Sequence, residues 1–346
     1  MLPRMDQVRL GTYPTPVQHV EALSRPGALL WLKRDDLTNP LYGGNKVRKL
    51  EHLLAEGRAL GASRIVTVGA AGSHHVLATA IFGRQAGFEV EAVLVPQVRT
   101  EHVVEHLRAG VGHGLRAFAA RSWGTVPVVA LPRLGRGVYF VAPGGSNIAG
   151  AMGYVAAARE IAVQVRAGEL PEPDLCIVTL GSGGTAAGLA AGFALERMRT
   201  RVLAVGVAVP RGPLAGLTRH LARACARRAG GARGSSGIPK GALRIDWRYL
   251  GAGYSEPTVW GERATGVAAS VGVTLDATYT AKTFAAVLDV IASRCARHVL
   301  YVHTLSAAPM APLLAQAPEE EELPPALRGL LIDRRSIARE VRFGNH

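Results

Sequence analysis

Lys46 is one of five lysines among forty basic residues, the others being Lys33, Lys49, Lys240 and Lys282. It follows a glycine pair and opens a helical pattern, in Tyr42-Gly43-Gly44-Asn45-Lys46-Val47-Arg48-Lys49-Leu50-Glu51. Arginine supplies the bulk charge, so this lysine offers what arginine cannot: an ammonium that loses its proton when desolvated and then attacks a carbonyl. A Schiff base with an aldehyde cofactor uses such an amine.

A second candidate site is Gly181-Ser182-Gly183-Gly184-Thr185-Ala186-Ala187-Gly188-Leu189, which follows an apolar run and opens a helix. Backbone N–H groups and the helix N-terminus form an anion site in that setting, and Ser182 and Thr185 add hydroxyls. A nicotinamide-type glycine fingerprint is the rival reading. The next strand, Arg201 to Val207, ends without the acidic residue which that fingerprint requires, and a Walker lysine is absent. Alone, the glycine run also reads as a structural turn. With Lys46 it makes the pairing of lysine and phosphate cup that pyridoxal 5'-phosphate needs.

Other residues carry weaker signals. His102-Val103-Val104-Glu105-His106 sets two histidines one helical turn apart, the inverted zinc-protease spacing. The sequence identifies no third ligand, so no metal site is expected. His74 and His75 are neighbours that point in different directions, and His75 reads as a capping or packing residue. Lys49, one turn from Lys46, reads equally as an ion-pair partner or as a cation for phosphate or carboxylate. Lys282 reads as a solvated helix charge.

The elements that must position these residues alternate. Strands are expected at Ala28–Lys33, Arg64–Val68, Val90–Val95, Val138–Val141, Leu175–Leu180 and Val202–Val209. Helices are expected at Asn45–Leu60, His75–Ala86, Thr100–Ala109, Gly150–Gly168 and Ala187–Met198. Such alternation implies an α/β chain with parallel-rich sheets flanked by helices. No internal repeat is present. Glu319 to Glu322 and Pro324-Pro325 break the pattern before a tail that reads as a loosely attached helix.

Composition sets the bounds. A chain of 346 residues, 48% hydrophobic, is long enough for two folded domains. Three cysteines, Cys176, Cys225 and Cys295, are too few and too scattered for a disulfide framework, which fits a reducing compartment. No apolar h-region or membrane-length apolar run is visible, so a cytoplasmic protein is expected. The net charge of +14 is scattered over arginines, with aromatics at only 5%. The densest cluster, Arg219 to Arg228, runs into a glycine-rich stretch and reads as a solvated helix and loop. No nucleic-acid partner is expected.

Taken together, the segments from Leu10 to Pro312 resemble the D-cysteine desulfhydrase and 1-aminocyclopropane-1-carboxylate (ACC) deaminase family of fold type II, tryptophan-synthase-β-like enzymes. The motifs are Gly11-Thr12-Tyr13-Pro14-Thr15-Pro16, Lys33-Arg34-Asp35-Asp36-Leu37 and Gly43 to Glu51. Pro143-Gly144-Gly145-Ser146-Asn147, Gly251-Ala252-Gly253-Tyr254, Tyr279-Thr280-Ala281-Lys282 and His303-Thr304 follow.

The resemblance implies a two-domain α/β chain. A large cofactor domain would comprise 1–53 and 163–325, a small inserted domain 54–162, and a tail 326–346. It implies that Lys46 carries the cofactor and moves the Cα proton. Tyr279 would stack on or beside the ring, and Tyr254 would be a second active-site tyrosine. Thr304 would face the pyridine nitrogen. Asn45, His74, Gly181, Ser182, Gly183, Gly184 and Thr185 would hold the cofactor. Ser73, with His74 and His75, would receive the carboxylate of a small amino acid. A homodimer is implied too.

Thr280 and Thr304 stand where ACC deaminases carry glutamate and leucine, which is the desulfhydrase-like pattern. The expected reaction is β-elimination, foremost D-cysteine to pyruvate, hydrogen sulfide and ammonia. ACC deamination, racemisation, β-replacement and a non-catalytic cofactor-binding protein are the alternatives. Gly72, His74, Ala281 and Leu305-Ser306 depart from the family pattern at positions expected to line the pocket.

Overall fold

In the computed structural model of the chain, residues 8–230 and 237–333 are described. The strands are β1 (Val17–His19), β2 (Leu29–Lys33), β3 (Arg64–Ala70), β4 (Glu89–Val95), β5 (Gln97–Val98) and β6 (Arg116–Ala119). They continue with β7 (Val138–Val141), β8 (Leu175–Leu180), β9 (Arg201–Gly206), β10 (Leu243–Asp246), β11 (His298–Val302) and β12 (Leu331–Ile332). The helices are α1 (Asn45–Ala59), α2 (His74–Gln85), α3 (Glu101–Gly112), α4 (Val126–Ala130), α5 (Ile148–Arg166) and α6 (Gly184–Leu195). After them come α7 (Arg211–Gly230), α8 (Val259–Ala269), α9 (Thr280–Ser293), α10 (Ala311–Leu314) and α11 (Pro325–Arg328). The expected α/β architecture is the one observed.

The chain divides into two compact units. Of the described residues, the first comprises 8–9, Leu53–Gly145 and 309–333, and the second Leu10–His52, 146–230 and 237–308.

The second unit is built on a six-stranded sheet in the order β1-β2-β11-β8-β9-β10. Only β1 runs antiparallel. Side chains alternate between its faces, as a strand's period of two requires. Val299 and Tyr301 of β11 pack with Phe284 and Val287 of α9 and Ala264 of α8. Leu300 and Val302 pack on the other face with Tyr154 and Ile161 of α5 and Leu189 of α6. With both faces covered, the central strands are apolar throughout. α5 therefore belongs here, which moves 146–162 out of the segment 54–162 expected for the inserted domain.

The first unit holds a four-stranded parallel sheet, β6-β4-β3-β7, and a parallel pair of β5 with β12. Val90 and Leu94 of β4 bury with Val76 of α2, Val103 and Leu107 of α3, and Leu323, Leu327 and Leu330. Residues through Ile332 are thus fastened to this core and do not hang as a loose tail. Residues 334–346 of the expected tail lie outside the described residues.

The arginine-rich segment forms the end of α7. Leu221, Ala222 and Cys225 face inward while Arg219, Arg223 and Arg227 are exposed. No helix among the described residues is long and apolar enough to cross a membrane.

Candidate functional site

Lys46 sits in the first turn of α1, delivered by a turn that several backbone contacts hold. Gly44 has φ +87°, a left-handed value that favours glycine, and its N–H donates to Asp35 O at 3.0 Å. The Asn45 N–H donates to the carbonyl of Thr304 at 3.2 Å. Gly43 N–H donates to Ser306 Oγ at 2.8 Å, and Ala308 N–H donates to the same hydroxyl at 3.2 Å. Ser306, one of the departures from the family pattern, therefore supports the lysine turn.

Below this turn, α1 is anchored by charge. Arg48 donates to both carboxylate oxygens of Asp35, at 2.8 and 3.0 Å, and to Glu160 at 2.9 Å. Tyr154 and Thr15 hydroxyls complete the Asp35 shell at 2.7 and 2.9 Å.

The Lys46 amine donates to Asn45 Oδ1 at 2.7 Å. Burial pushes its pKa down to about 8, against an upward pull from Asp276. A large fraction is thus neutral near pH 8, as a nucleophile or proton acceptor must be.

The glycine run forms a cup between β8 and α6. Gly183 has φ +90°, and an added Cβ there would lie 2.5 Å from Thr218 Oγ1. At Gly184 a Cβ would lie 2.7 Å from Ser146 Oγ and 3.2 Å from Lys49 Nζ. Only bare backbone fits both positions. The Gly184 N–H and the Ser182 hydroxyl both reach Ser146 Oγ, at 3.1 and 2.7 Å.

Lys49 Nζ contacts Ser146 Oγ at 3.3 Å. Burial, then the neighbouring Lys46 charge, push the Lys49 pKa well below its ordinary value. An anion in the cup would restore that ammonium, so the phosphate reading of Lys49 fits its surroundings. The glycine backbone, the hydroxyls of Ser146, Ser182 and Thr185, and Lys49 suit a phosphate. Lys46 suits the aldehyde end of the same molecule. The residues present fit pyridoxal phosphate.

Tyr279 borders the cup, since a Cβ on Gly181 would lie 3.3 Å from its Cε1. It precedes α9, and its N–H donates to Asp276 Oδ2 at 2.8 Å. Thr280 is buried, and its hydroxyl donates to Asp276 Oδ1 at 2.6 Å. That position thus braces the loop which carries Tyr279. The Tyr254 and Tyr279 hydroxyls meet in a short hydrogen bond, with the rings edge-on at 5.7 Å. Burial raises both phenol pKa values, so both stay protonated.

Lys282 corrects the expectation of a solvated charge. It is fully buried, and its ammonium donates to the carbonyls of Leu250 and Gly253 at 2.9 and 2.8 Å. The loop before Tyr254 needs those donors. Ala281 is also core, packed with Phe284 and Tyr301.

Ser73, His74 and His75 belong to the first unit. Ser73 caps α2, its Oγ accepting from Val76 N–H at 3.4 Å. His75 turns inward and bonds Thr67 Oγ1 at 2.9 Å. His74 turns the other way, to His106, with His74 Nδ1 and His106 Nε2 at 3.2 Å. Three groups went unassigned from sequence: Ser146, Asp276 and Ser306. Ser146 lay in the quoted Pro-Gly-Gly-Ser-Asn motif and could have been found there. Asp276 braces Tyr279 and Thr280 locally, but its pull on Lys46, like the Ser306 contact with Gly43, acts through the tertiary structure.

Known proteins resemble this chain over most of its length. The chain is 33% identical over 320 residues to the D-cysteine desulfhydrase of Salmonella paratyphi A, covering 88% of this chain and 94% of that one. It is 32% identical over 330 residues to the nocardicin C-9' epimerase of Nocardia uniformis subsp. tsuyamanensis, covering 91% and 97%. A crystal structure of an ACC deaminase homologue superposes with a TM-score of 0.76 at 27% identity, over 90% of this chain and 97% of that one. The family model described as pyridoxal-phosphate dependent enzyme matches residues 8–304, and the chain belongs to that family, with pyridoxal phosphate as its cofactor.

Proposed function

We propose that the protein eliminates a β-substituent from a small amino acid, with D-cysteine as the leading substrate and pyruvate, sulfide and ammonia as products. The observation that carries this reading is the Lys46 amine, its pKa lowered by burial to about 8 and its nitrogen joined through Asn45 to Thr185 of the glycine cup. Pyridoxal phosphate, when bound, supplies the electron sink that makes the substrate's Cα proton acidic.

The chain's own residues do the rest. Lys46 takes the Cα proton. The protonated phenols of Tyr279 and Tyr254 stand beside the cup and can give a proton to the departing sulfur. Ser73 carries over from the family resemblance as the group that would receive the substrate carboxylate, and its place at the N-terminus of α2 suits an anion. Similarity to D-cysteine desulfhydrases over most of the chain supports the substrate.

A second reading keeps the first step and changes the second. Lys46 removes the Cα proton, and a proton returns on the opposite face, as the likeness to an epimerase allows. Incubation with D-cysteine, L-cysteine, D-serine and ACC, measuring pyruvate, sulfide, 2-oxobutanoate and the enantiomer of recovered substrate, separates the readings. Pyruvate and sulfide from D-cysteine support elimination. Inverted amino acid without an oxo acid replaces elimination by epimerisation, and 2-oxobutanoate from ACC replaces the substrate assignment.

A further inference from the structure

Three histidines of the first unit converge where the sequence predicted no metal site. His102 and His106 lie one turn apart on the same face of α3. His74, the first residue of α2, supplies the third ligand that the sequence pattern lacked. One ring nitrogen from each can be chosen so that all three lie within 4.8 Å of one another. Ring centroids are 4.7 Å apart for His74 and His102, 4.6 Å for His74 and His106, and 3.9 Å for His102 and His106.

We infer that His74, His102 and His106 form a binding site for one divalent first-row transition ion, zinc foremost. Zinc–nitrogen bonds of about 2.0–2.1 Å in a tetrahedron set ligand nitrogens about 3.4 Å apart. His74 Nδ1 and His106 Nε2 already stand at 3.2 Å.

A second feature is independent of that spacing. His106 Nδ1 lies 2.8 Å from the carbonyl of His102, and a carbonyl can only accept. The proton is therefore on Nδ1, and Nε2 turns its lone pair toward His74. A ligand imidazole whose other nitrogen donates to a backbone carbonyl is the arrangement that orients metal-binding histidines. On binding, His74 takes the tautomer protonated at Nε2, so no net proton is needed. Three imidazoles leave a fourth position for water or an anion.

The same fold explains two departures together. A Cβ on Gly72 would lie 2.7 Å from Val103 Cγ2 and 2.8 Å from Val103 Cα. Only glycine lets α3 pack this close to the loop that carries His74. Gly72 and His74 thus serve one construction: the first admits α3, and the second meets its histidines. The partial positive charge at the N-terminus of α2 works against a cation, and the three lone pairs must outweigh it. Imidazoles favour zinc, copper or nickel over magnesium, whose ligands are oxygens.

The test uses the full-length, cofactor-loaded protein without a histidine affinity tag. Zinc is titrated by calorimetry, and cobalt by the visible bands of a four-coordinate ion, with magnesium as control. One equivalent of zinc or cobalt per chain is expected, with no magnesium. His102→Ala and His74→Asn should each weaken zinc binding by about 100-fold or more, beyond the usual loss on removing an outer-shell partner. Circular dichroism confirms folding, and His102→Ala, at a half-buried position, carries the test if buried His106 variants do not fold. Cys295→Ser should leave binding intact. The inference is overturned if the wild-type chain takes up neither ion, or if binding survives His102→Ala and His74→Asn unchanged. Because it rests on the first unit alone, its failure leaves the Lys46 chemistry untouched.

Discussion

The Nδ2 amide of Asn45 donates to Oγ1 of Thr185 at 3.1 Å. The same side chain accepts from the Lys46 ammonium through its Oδ1 at 2.7 Å. One amide thus ties the amine on α1 to the glycine cup that opens α6. An amide is suited to this because it presents a donor and an acceptor in one plane. Asn45→Asp would put a carboxylate beside Lys46, hold its proton more tightly and repel an anion from the cup. Weaker cofactor binding at neutral pH is the expected outcome, read by fluorescence titration. Tighter binding in Asn45→Asp would contradict this role.

The amine's protonation sets how the apoprotein takes up its cofactor. Only the neutral amine attacks an aldehyde, and burial lowers the Lys46 pKa to about 8 from the ordinary 10.5. The rate of cofactor uptake should therefore rise with pH to a midpoint near 8, not 10.5. Asp276 pulls that pKa upward, so Asp276→Asn should move the midpoint lower. Stopped-flow absorbance across pH reads both, and an unshifted midpoint in Asp276→Asn would remove Asp276 from the account.

Gly184→Ala should damage the cup specifically. The new methyl would press on Ser146 Oγ at 2.7 Å. Cofactor affinity should fall at least about 10-fold, or about 1.4 kcal/mol. The matched control is Gly266→Ala in α8, where a Cβ meets nothing within 4 Å. It should leave affinity unchanged and stabilise the helix by about 0.5–1 kcal/mol. Equal affinities for the two variants would show that the cup does not hold the phosphate.

Lys282→Met should destabilise the second unit. It strips the Leu250 and Gly253 carbonyls of their shared donor. Leaving such groups unsatisfied costs about 1–3 kcal/mol. Thermal unfolding followed by circular dichroism should show a drop of a few degrees. A solvated surface lysine would show none.

The Asp35–Arg48 pair predicts an acid limb of stability. Burial alone would raise both carboxyls, but Arg48 and Lys33 outweigh it and hold Asp35 and Glu160 below their ordinary 3.8 and 4.5. Their contribution is full above those ordinary values and drains away as pH falls through the lower folded ones. Asp35→Asn leaves Arg48 short of a charge partner and should cost about 3–5 kcal/mol in urea unfolding at pH 7. The acid limb should flatten in that variant.

Much of the frame was legible because it is local. β7 and β8 fall at the expected residues, and α1 and α5 differ by a turn or less, since apolar periodicity marks strands and helices directly. Lys46 was legible for the same reason: a glycine pair, a lysine and a helix start are all sequence neighbours. β10, β11, α8 and α9 were not anticipated. α9 is buried through most of its first three turns, with the polar Thr280, Lys282 and Thr283 on the inside, so its polar residues do not mark its solvent face. Lys282 misled because its partners are carbonyls about thirty residues away. The third histidine was invisible because His74 and His106 meet only when α2 and α3 pack, and Gly72 permits that approach without announcing it.

Where the cofactor attaches decides whether Lys46 is the Schiff-base lysine. Borohydride reduction fixes a carbonyl joined to an amine as a stable secondary amine, and peptide mass mapping locates it. One pyridoxyl group per chain is expected on Lys46, with the label absent from Lys46→Ala and its β-elimination rate lower by about 1000-fold or more. Label on Lys49, the other buried lysine of this turn, or on no lysine at all, would contradict it.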